Sequence, residues 1–145
     1  MFMGEYQHNL DAKGRVFIPA RFREELGDCF VLTKGLDRCL FAFPMAEWQA
    51  LEQKLKTIPF TRRDARTFSR IFFAGACECE IDKHGRVLVP QNLREHGNLA
   101  KEAVIIGVSS RVEIWSAEVW DEYKTNAASS YEDIAEKIIE DSYGL

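Results

Sequence analysis

Two short stretches of the 145-residue chain carry the same set of chemically capable side chains. In the first, Asp11 stands four residues before Arg15, with Lys13 and Gly14 between them. In the second, Asp82 stands four residues before Arg86, with Lys83, His84 and Gly85 between. A carboxylate and a guanidinium so placed across a glycine corner have two uses. They can pair with each other and brace the corner through a bidentate contact. Alternatively, the cations can project from a loop tip, where they suit phosphate oxygens and guanine edges. The pair alone fits bracing better, with Asp11, Asp82, Gly14 and Gly85 as the bracing residues. The neighbouring Lys13, Lys83 and His84 favour the cationic tip. Two such tips in one chain suit a ligand that is itself repetitive.

Other chemistry is poorly served. Catalysis needs acid and base groups converging in a sheltered pocket, whereas Asp11, Asp82 and His84 are expected beside cations on loop tips, and His8 and His96 stand apart from them. No P-loop, G-x-G-x-x-G, G-x-S-x-G or H-E-x-x-H pattern occurs. Neither a catalytic residue nor a cofactor is expected, and the chain does not read as an enzyme. Cys77-Glu78-Cys79 is a C-x-C, and neither it nor Cys29 and Cys39 has a second Cys/His pair at zinc-ligand spacing. These cysteines read as small apolar residues and free thiols, not as a metal site.

The loops sit inside a larger internal repeat. Residues 11–24 align with residues 82–95 at a shift of 71, and seven of the fourteen positions are identical. Average residue usage would give on the order of one match. At a shift of 72, Gly35, Leu40, Phe43 and Trp48 align with Gly107, Val112, Trp115 and Trp120. Each copy predicts the same elements. Alternating Tyr6, His8 and Leu10, or Cys77, Cys79 and Ile81, make a half-buried strand. The glycine loop turns into Val16-Phe17-Ile18 or Val87-Leu88-Val89. Pro19 and Pro90 end that strand and open a short helix. A hairpin follows, over Phe30–Leu32 and Leu40–Phe43 or Val104–Ile106 and Val112–Trp115.

A helix closes each copy, begun after Pro44 or capped by Ser116; Trp48, Leu51 and Leu55 give the first of these a one-sided stripe. Thr61 followed by Asp64 predicts an N-cap for a linking helix running to about Gly75. Repeat one is expected over residues 5–47, linking helices over 48–75, repeat two over 76–119 and a C-terminal helical tail over 120–145. The fold class is mainly β with short helices (α+β). Neither copy has strands enough to stand alone, so the two are expected to close one pseudo-two-fold β-barrel and so remove exposed edges.

The net charge of −4 first counts against a nucleic acid, but the distribution of charge points the other way. Residues 131–145 hold five acids against Lys137, so residues 1–130 are neutral overall. Residues 49–75 carry a local +4, from Lys54, Lys56, Arg62, Arg63, Arg66 and Arg70 against Glu52 and Asp64. The arginines alternate with Phe68, Ile71 and Phe72, a stripe that reads as core or subunit interface. No apolar run approaches the roughly 18 residues that span a bilayer, and the first residues lack the pattern of a secretory signal. A cytosolic chain with no membrane association is expected.

Three features together resemble the MraZ family of bacterial transcriptional regulators: Met1-Phe2-x-Gly4-Glu5-Tyr6, the doubled Asp-x-x-Gly-Arg-(apolar)₃-Pro hairpin, and Glu47-Trp48 after Phe41-x-Phe43-Pro44. The resemblance covers essentially the whole chain. It implies that each half is similar to a SpoVT-AbrB swapped-hairpin domain, in which two hairpins interlock. It further implies a ring-shaped homo-oligomer that binds double-stranded DNA at short direct repeats upstream of the division and cell-wall gene cluster. Transcription regulation, by repression, in the cytoplasm at the nucleoid is the expected role. The family's DNA-contacting arginine falls on Arg15 and Arg86; loop position adds Lys13, Lys83 and His84. Swapped-hairpin domains also occur in antitoxins, so a protein–protein interaction module is the alternative.

Overall fold

The computed structural model describes residues 1–143; the last two residues of the expected 120–145 tail lie outside the described residues. The first half runs β1 (Glu5–Asn9), β2 (Arg15–Phe17), α1 (Ala20–Leu26), β3 (Cys29–Lys34), β4 (Leu40–Pro44), α2 (Met45–Lys56) and α3 (Arg63–Ala74). The second half repeats that order: β5 (Cys77–Glu80), β6 (Arg86–Leu88), α4 (Gln91–His96), β7 (Glu102–Val108), β8 (Arg111–Ser116), α5 (Ala117–Ala128) and α6 (Tyr131–Tyr143). The expected punctuation is present. Pro19 and Pro90 stand at the N-caps of α1 and α4. The Ser116 hydroxyl accepts from the Val119 N–H at the start of α5.

One boundary differs from expectation. Thr61 does not cap α3; the helix starts at Arg63 with extended Arg62 at its N-cap and no side-chain cap bond. The Pro59 carbonyl accepts the Arg62 N–H, which places Thr61 inside a turn. Asp64 accepts instead from the Ala65 N–H and the Arg62 guanidinium, 2.8 and 2.7 Å away. Negative charge in the first turn suits the helix dipole in either arrangement.

The two halves exchange strands. All pairing is antiparallel, and the main sheet has the order β1-β7-β8-β4-β3-β5. Exchanging each strand for its repeat counterpart reverses this order without altering it, the signature of a pseudo-two-fold. β1 pairs with the other half's β7 (Tyr6 opposite Ile105), and β5 with the other half's β3 (Cys79 opposite Phe30). β4 and β8 join the hairpins at the centre, Leu40 opposite Ile114. β2 and β6 pair separately as a two-stranded ribbon, Val16 opposite Val87. Among the described residues the strands therefore pair as a six-stranded sheet and a two-stranded ribbon, and the halves interlock.

The main core lies between ribbon and sheet and draws on both halves. Val16, Val87, Ile18, Val89, Phe22, Leu93, Phe30 and Ile105 are all buried in one cluster. Each such side chain contributes about 1.5–3 kcal/mol on burial. Cys79 belongs to this core and Cys77 packs against it, as expected of apolar positions on one strand face. His8 is half-buried with its ring 4.9 Å from that of Phe17. Trp48 on α2 meets Phe43, Phe72 and Phe73, which fixes α3 over the first hairpin. Phe72 is buried, whereas Phe68 and Ile71 are exposed, so only part of that stripe is core. Among the described residues no helix is long and apolar enough to cross a membrane.

Candidate nucleic-acid interface

Each Asp-x-x-Gly-Arg loop closes by the same five hydrogen bonds. In the first, the Asp11 N–H donates to the Arg15 carbonyl (2.9 Å) and the Gly14 N–H to the Asp11 carbonyl (3.0 Å). Asp11 Oδ1 accepts from the backbone N–H groups of Lys13 and Arg15, both at 2.9 Å. Asp11 Oδ2 accepts from Arg15 Nε at 2.7 Å. The second loop repeats this with Asp82, the N–H groups of His84 and Arg86, and Arg86 Nε at 3.1 Å. The aspartates thus work as local backbone mimics, the habit that suits Asp to turns. The bonds leave their mark on the carboxyl groups. The Arg15 backbone N–H, with its guanidinium and the Lys13 N–H, holds Asp11 down to about 2 against a smaller opposing effect of burial. Asp82 is lowered in the same way, chiefly by the Arg86 backbone N–H.

Both loops are seated by an arginine from the opposite half. Gly14 and Gly85 have φ of 82° and 83°, a region that L side chains rarely adopt. A Cβ on Gly14 would overlap Arg94 Nη1, and one on Gly85 would overlap Arg23 Nη1. Arg94 Nη1 donates to the Val89 carbonyl at 2.8 Å. The Arg23 guanidinium lies over the Phe17 ring, 5.0 Å from its centre. Backbone bonds complete the exchange, from Ile18 N–H to the Gly85 carbonyl and from Val89 N–H to the Gly14 carbonyl. Arg23 and Arg94 are not among the site residues expected from sequence. Their signal was an identical pair of arginines in the two copies of the motif.

The ribbon turns one face inward and one outward. Val16 and Val87 are buried, so the alternate residues Arg15, Phe17, Arg86 and Leu88 share the outer face. Leu88 is 56% exposed, and the two arginines are partly exposed. Arg15 lies opposite Leu88 and Arg86 opposite Phe17, which makes the arginines diagonal neighbours, roughly 7–8 Å apart across the ribbon. Asp11 Oδ2 lies 3.7 Å from Arg86 Nη1 as well as beside Arg15. The structure therefore brings Arg15 and Arg86 into one group. Lys13 lies at one end of the ribbon and Lys83 with His84 at the other, all three exposed.

The electrostatic arrangement is not fully symmetric. Among the described residues, Arg86 addresses two aspartates, whereas Arg15 pairs with Asp11 alone. In each case Nε faces the aspartate. Chemically, this is a narrow antiparallel ribbon with two held guanidinium groups and three flanking basic side chains. An antiparallel ribbon of two strands is of a size to enter a DNA major groove, about 12 Å wide.

A model of a protein family described as "MraZ protein, putative antitoxin-like" matches the chain twice, over residues 1–71 and 72–141. A protein of Pelotomaculum thermopropionicum named transcriptional regulator MraZ is 69% identical to this chain over the full length of both. One of the same name from Carboxydothermus hydrogenoformans is 64% identical, over 97% of this chain and 98% of its own. Another, from Desulforamulus reducens, is 62% identical over 97% of this chain and 99% of its own. With a doubled family match and full-length relatives at this identity, the chain belongs to the MraZ family, which is a family of transcriptional regulators and not of enzymes.

Proposed function

We propose that the chain represses transcription by docking the outer face of the β2–β6 ribbon on double-stranded DNA. Arg15 and Arg86 contact base edges or clamp phosphates, while Lys13, Lys83 and His84 meet the backbone at the two ends of the ribbon. Asp11, Asp82, Gly14 and Gly85 hold the loops, and Arg23 and Arg94 seat them. In this reading residues 5–47 and 76–119 are the two DNA-facing repeats, joined as a swapped-hairpin barrel of the SpoVT-AbrB type. Residues 48–75 and 120–145 supply the helices. The protein works in the cytoplasm at the nucleoid, as a ring-shaped homo-oligomer on short direct repeats upstream of the division and cell-wall cluster.

One observation carries the reading: both repeat arginines share the solvent side of one ribbon, with their Nε atoms tied to aspartates. Such an arginine is pre-oriented and loses little freedom on binding. One chain offers only two loops, and a few phosphate contacts bind weakly in salt. Joining many copies raises avidity by roughly 10²–10⁴. Fluorescence anisotropy with a duplex from the protein's own upstream region, against a shuffled duplex, tests the reading. Preference for the upstream duplex, lost in Arg15→Ala and Arg86→Ala, is expected. Equal binding of both duplexes, or affinity indifferent to both substitutions, refutes it.

A further inference from the structure

Strand β5 brings two sulfurs together. Cys77 and Cys79 stand two residues apart, so the alternation of the strand puts both on one face, with Glu78 and Glu80 on the other. Their Sγ atoms lie 3.5 Å apart. Cys79 is buried in the main core, whereas Cys77 packs against that core and stays partly exposed. Among the described residues β5 is an edge strand, paired with β3 only.

The other two cysteines are placed differently. Cys39 is buried, and burial pushes its thiol up. Cys29 lies on β3 beside Glu78, and burial and that carboxylate raise its thiol too. At Cys77 the direction is reversed. The Cys79 thiol donates to its sulfur and favours the thiolate, against a smaller opposing effect of burial. The thiolate is the form that attacks an oxidant, and access decides which thiolate reacts. Of the four cysteines, Cys77 alone combines a favoured thiolate, partial exposure and a second thiol within reach.

We infer that Cys77 and Cys79 form a dithiol site that a peroxide closes to a disulfide. The Cys77 thiolate attacks one peroxide oxygen; an S–O bond forms, the O–O bond breaks, and the departing hydroxide takes up a proton to become water. The Cys79 sulfur then attacks the sulfur of the Cys77 sulfenic acid. The S–S bond forms, the S–O bond breaks, and the Cys79 proton leaves with the hydroxyl group as a second water. The two sulfurs together lose two electrons, and the peroxide gains them.

Closure reaches the neighbouring loop. Two residues of extended strand span about 6.6 Å, near the upper end of what a disulfide bridges, and its commonest Cα separation is about 5.5–6 Å. Closing the bond therefore draws β5 in, which an edge strand can allow. Asp82, three residues beyond Cys79, opens the second loop, and its N–H donates to the Arg86 carbonyl at 2.8 Å. Oxidation thus shifts the support of Arg86, and its effect on DNA rests on the docking reading above.

Hydrogen peroxide added to the reduced full chain, read by free-thiol titration and peptide mass spectrometry, tests the site. Two thiols should disappear, with the new bond between Cys77 and Cys79, and Cys29→Ala with Cys39→Ala should close alike. Amide exchange should quicken over residues 77–86. In anisotropy, the oxidised chain should bind the upstream duplex about tenfold or more weakly, the worth of one misplaced arginine contact, and dithiothreitol should restore it. Cys77→Ala, verified as folded by a thermal melt, should bind the duplex alike with and without peroxide. Oxidation that spares this pair, or falls first on Cys29, overturns the inference. So does a closed bond that leaves both exchange and affinity unchanged. A reduced chain without preference for the upstream duplex overturns the docking reading instead, and the thiol and exchange measurements still decide the site.

Discussion

Gly14→Ala tests whether the Asp11–Arg15 loop is held by the opposite repeat. Gly14 sits at φ 82°, and an L residue there costs roughly 1–2 kcal/mol. The new methyl would also overlap Arg94 Nη1 and lie 2.7 Å from Cζ and 3.2 Å from Cδ. The Arg94 side chain must therefore swing away, breaking its 2.8 Å bond to the Val89 carbonyl. A hydrogen bond from a charged donor contributes about 1.5–3 kcal/mol, and Arg94 is half-buried, which favours the lower figure. Together these predict a loss of about 2–4 kcal/mol. For a chain of this size each kcal/mol lowers Tm by about 2–4 °C, so a fall of roughly 5–15 °C is expected by calorimetry.

The decisive measurement is a double-mutant cycle with Arg94→Ala. Once the guanidinium is gone, Gly14→Ala should cost only the backbone strain, leaving a coupling of at least about 1 kcal/mol. Gly85→Ala should be the harsher change, because its methyl meets the Phe17 ring at 2.8 Å besides Arg23. An aromatic ring with Arg23 lying over it yields less readily than the end of one arginine. Equal cost of Gly14→Ala in the presence and absence of Arg94 would refute the seating argument. So would a Tm unchanged by Gly14→Ala.

Arg15→Ala should weaken DNA binding by about 1–3 kcal/mol for each base contact it makes, with Tm barely moved, since both backbone bonds to Asp11 Oδ1 survive. Lys13→Ala should instead reduce affinity evenly across duplexes and flatten the salt dependence in anisotropy titrations. Asp11 gives a pH signature: its carboxyl is lowered from 3.8 to about 2 on folding. The stability it contributes is present above about pH 4 and is lost as pH falls towards 2. Urea midpoints of wild type and Asp11→Asn should therefore converge over that window. Finally, the buried Glu113 carboxylate accepts from Trp115 Nε1 (3.0 Å) and from Arg111 (2.7–2.8 Å). Glu113→Ala should cost roughly 2–4 kcal/mol by stranding those donors, read as a lowered urea midpoint and a shifted tryptophan emission.

Element identity was legible because each element has a local cause. Pro19 and Pro90 end strands and open helices wherever the chain lies, and Asp-x-x-Gly closes its turn with atoms from neighbouring residues. Partner choice has no such local cause. Period-two burial of Tyr6, His8 and Leu10 announces a strand but is silent on whether β1 joins its own hairpin or the opposite one. Glu113, an acid inside an apolar strand, gives no sign in the sequence that it is buried, because its partner Trp115 lies two residues on along the same face and reads as ordinary core. The Thr61 expectation failed because a good capping residue was already inside the turn closed by Pro59.

The exchange of strands also accounts for which positions the two copies share. Val16 faces Val87 in the ribbon register. Gly14 lies beneath Arg94 and Gly85 beneath Arg23. Asp11 reaches both Arg15 and Arg86. At each of these positions a pseudo-two-fold sets a residue against the other copy's motif, so a change in one copy must be accommodated by the other. Among the described residues, Glu24 and Glu95, identical and exposed, have no such contact to explain them. The loop tips are different: Ala12-Lys13 in one copy stands where Lys83-His84 stands in the other. Those residues are exposed, so packing between the copies does not hold them alike. In the docking proposed above, a DNA duplex presents different bases to the two ends of the ribbon. Like side chains where the copies hold each other and unlike ones at the loop tips suit the docking proposed above, of a nearly symmetric scaffold on an asymmetric duplex.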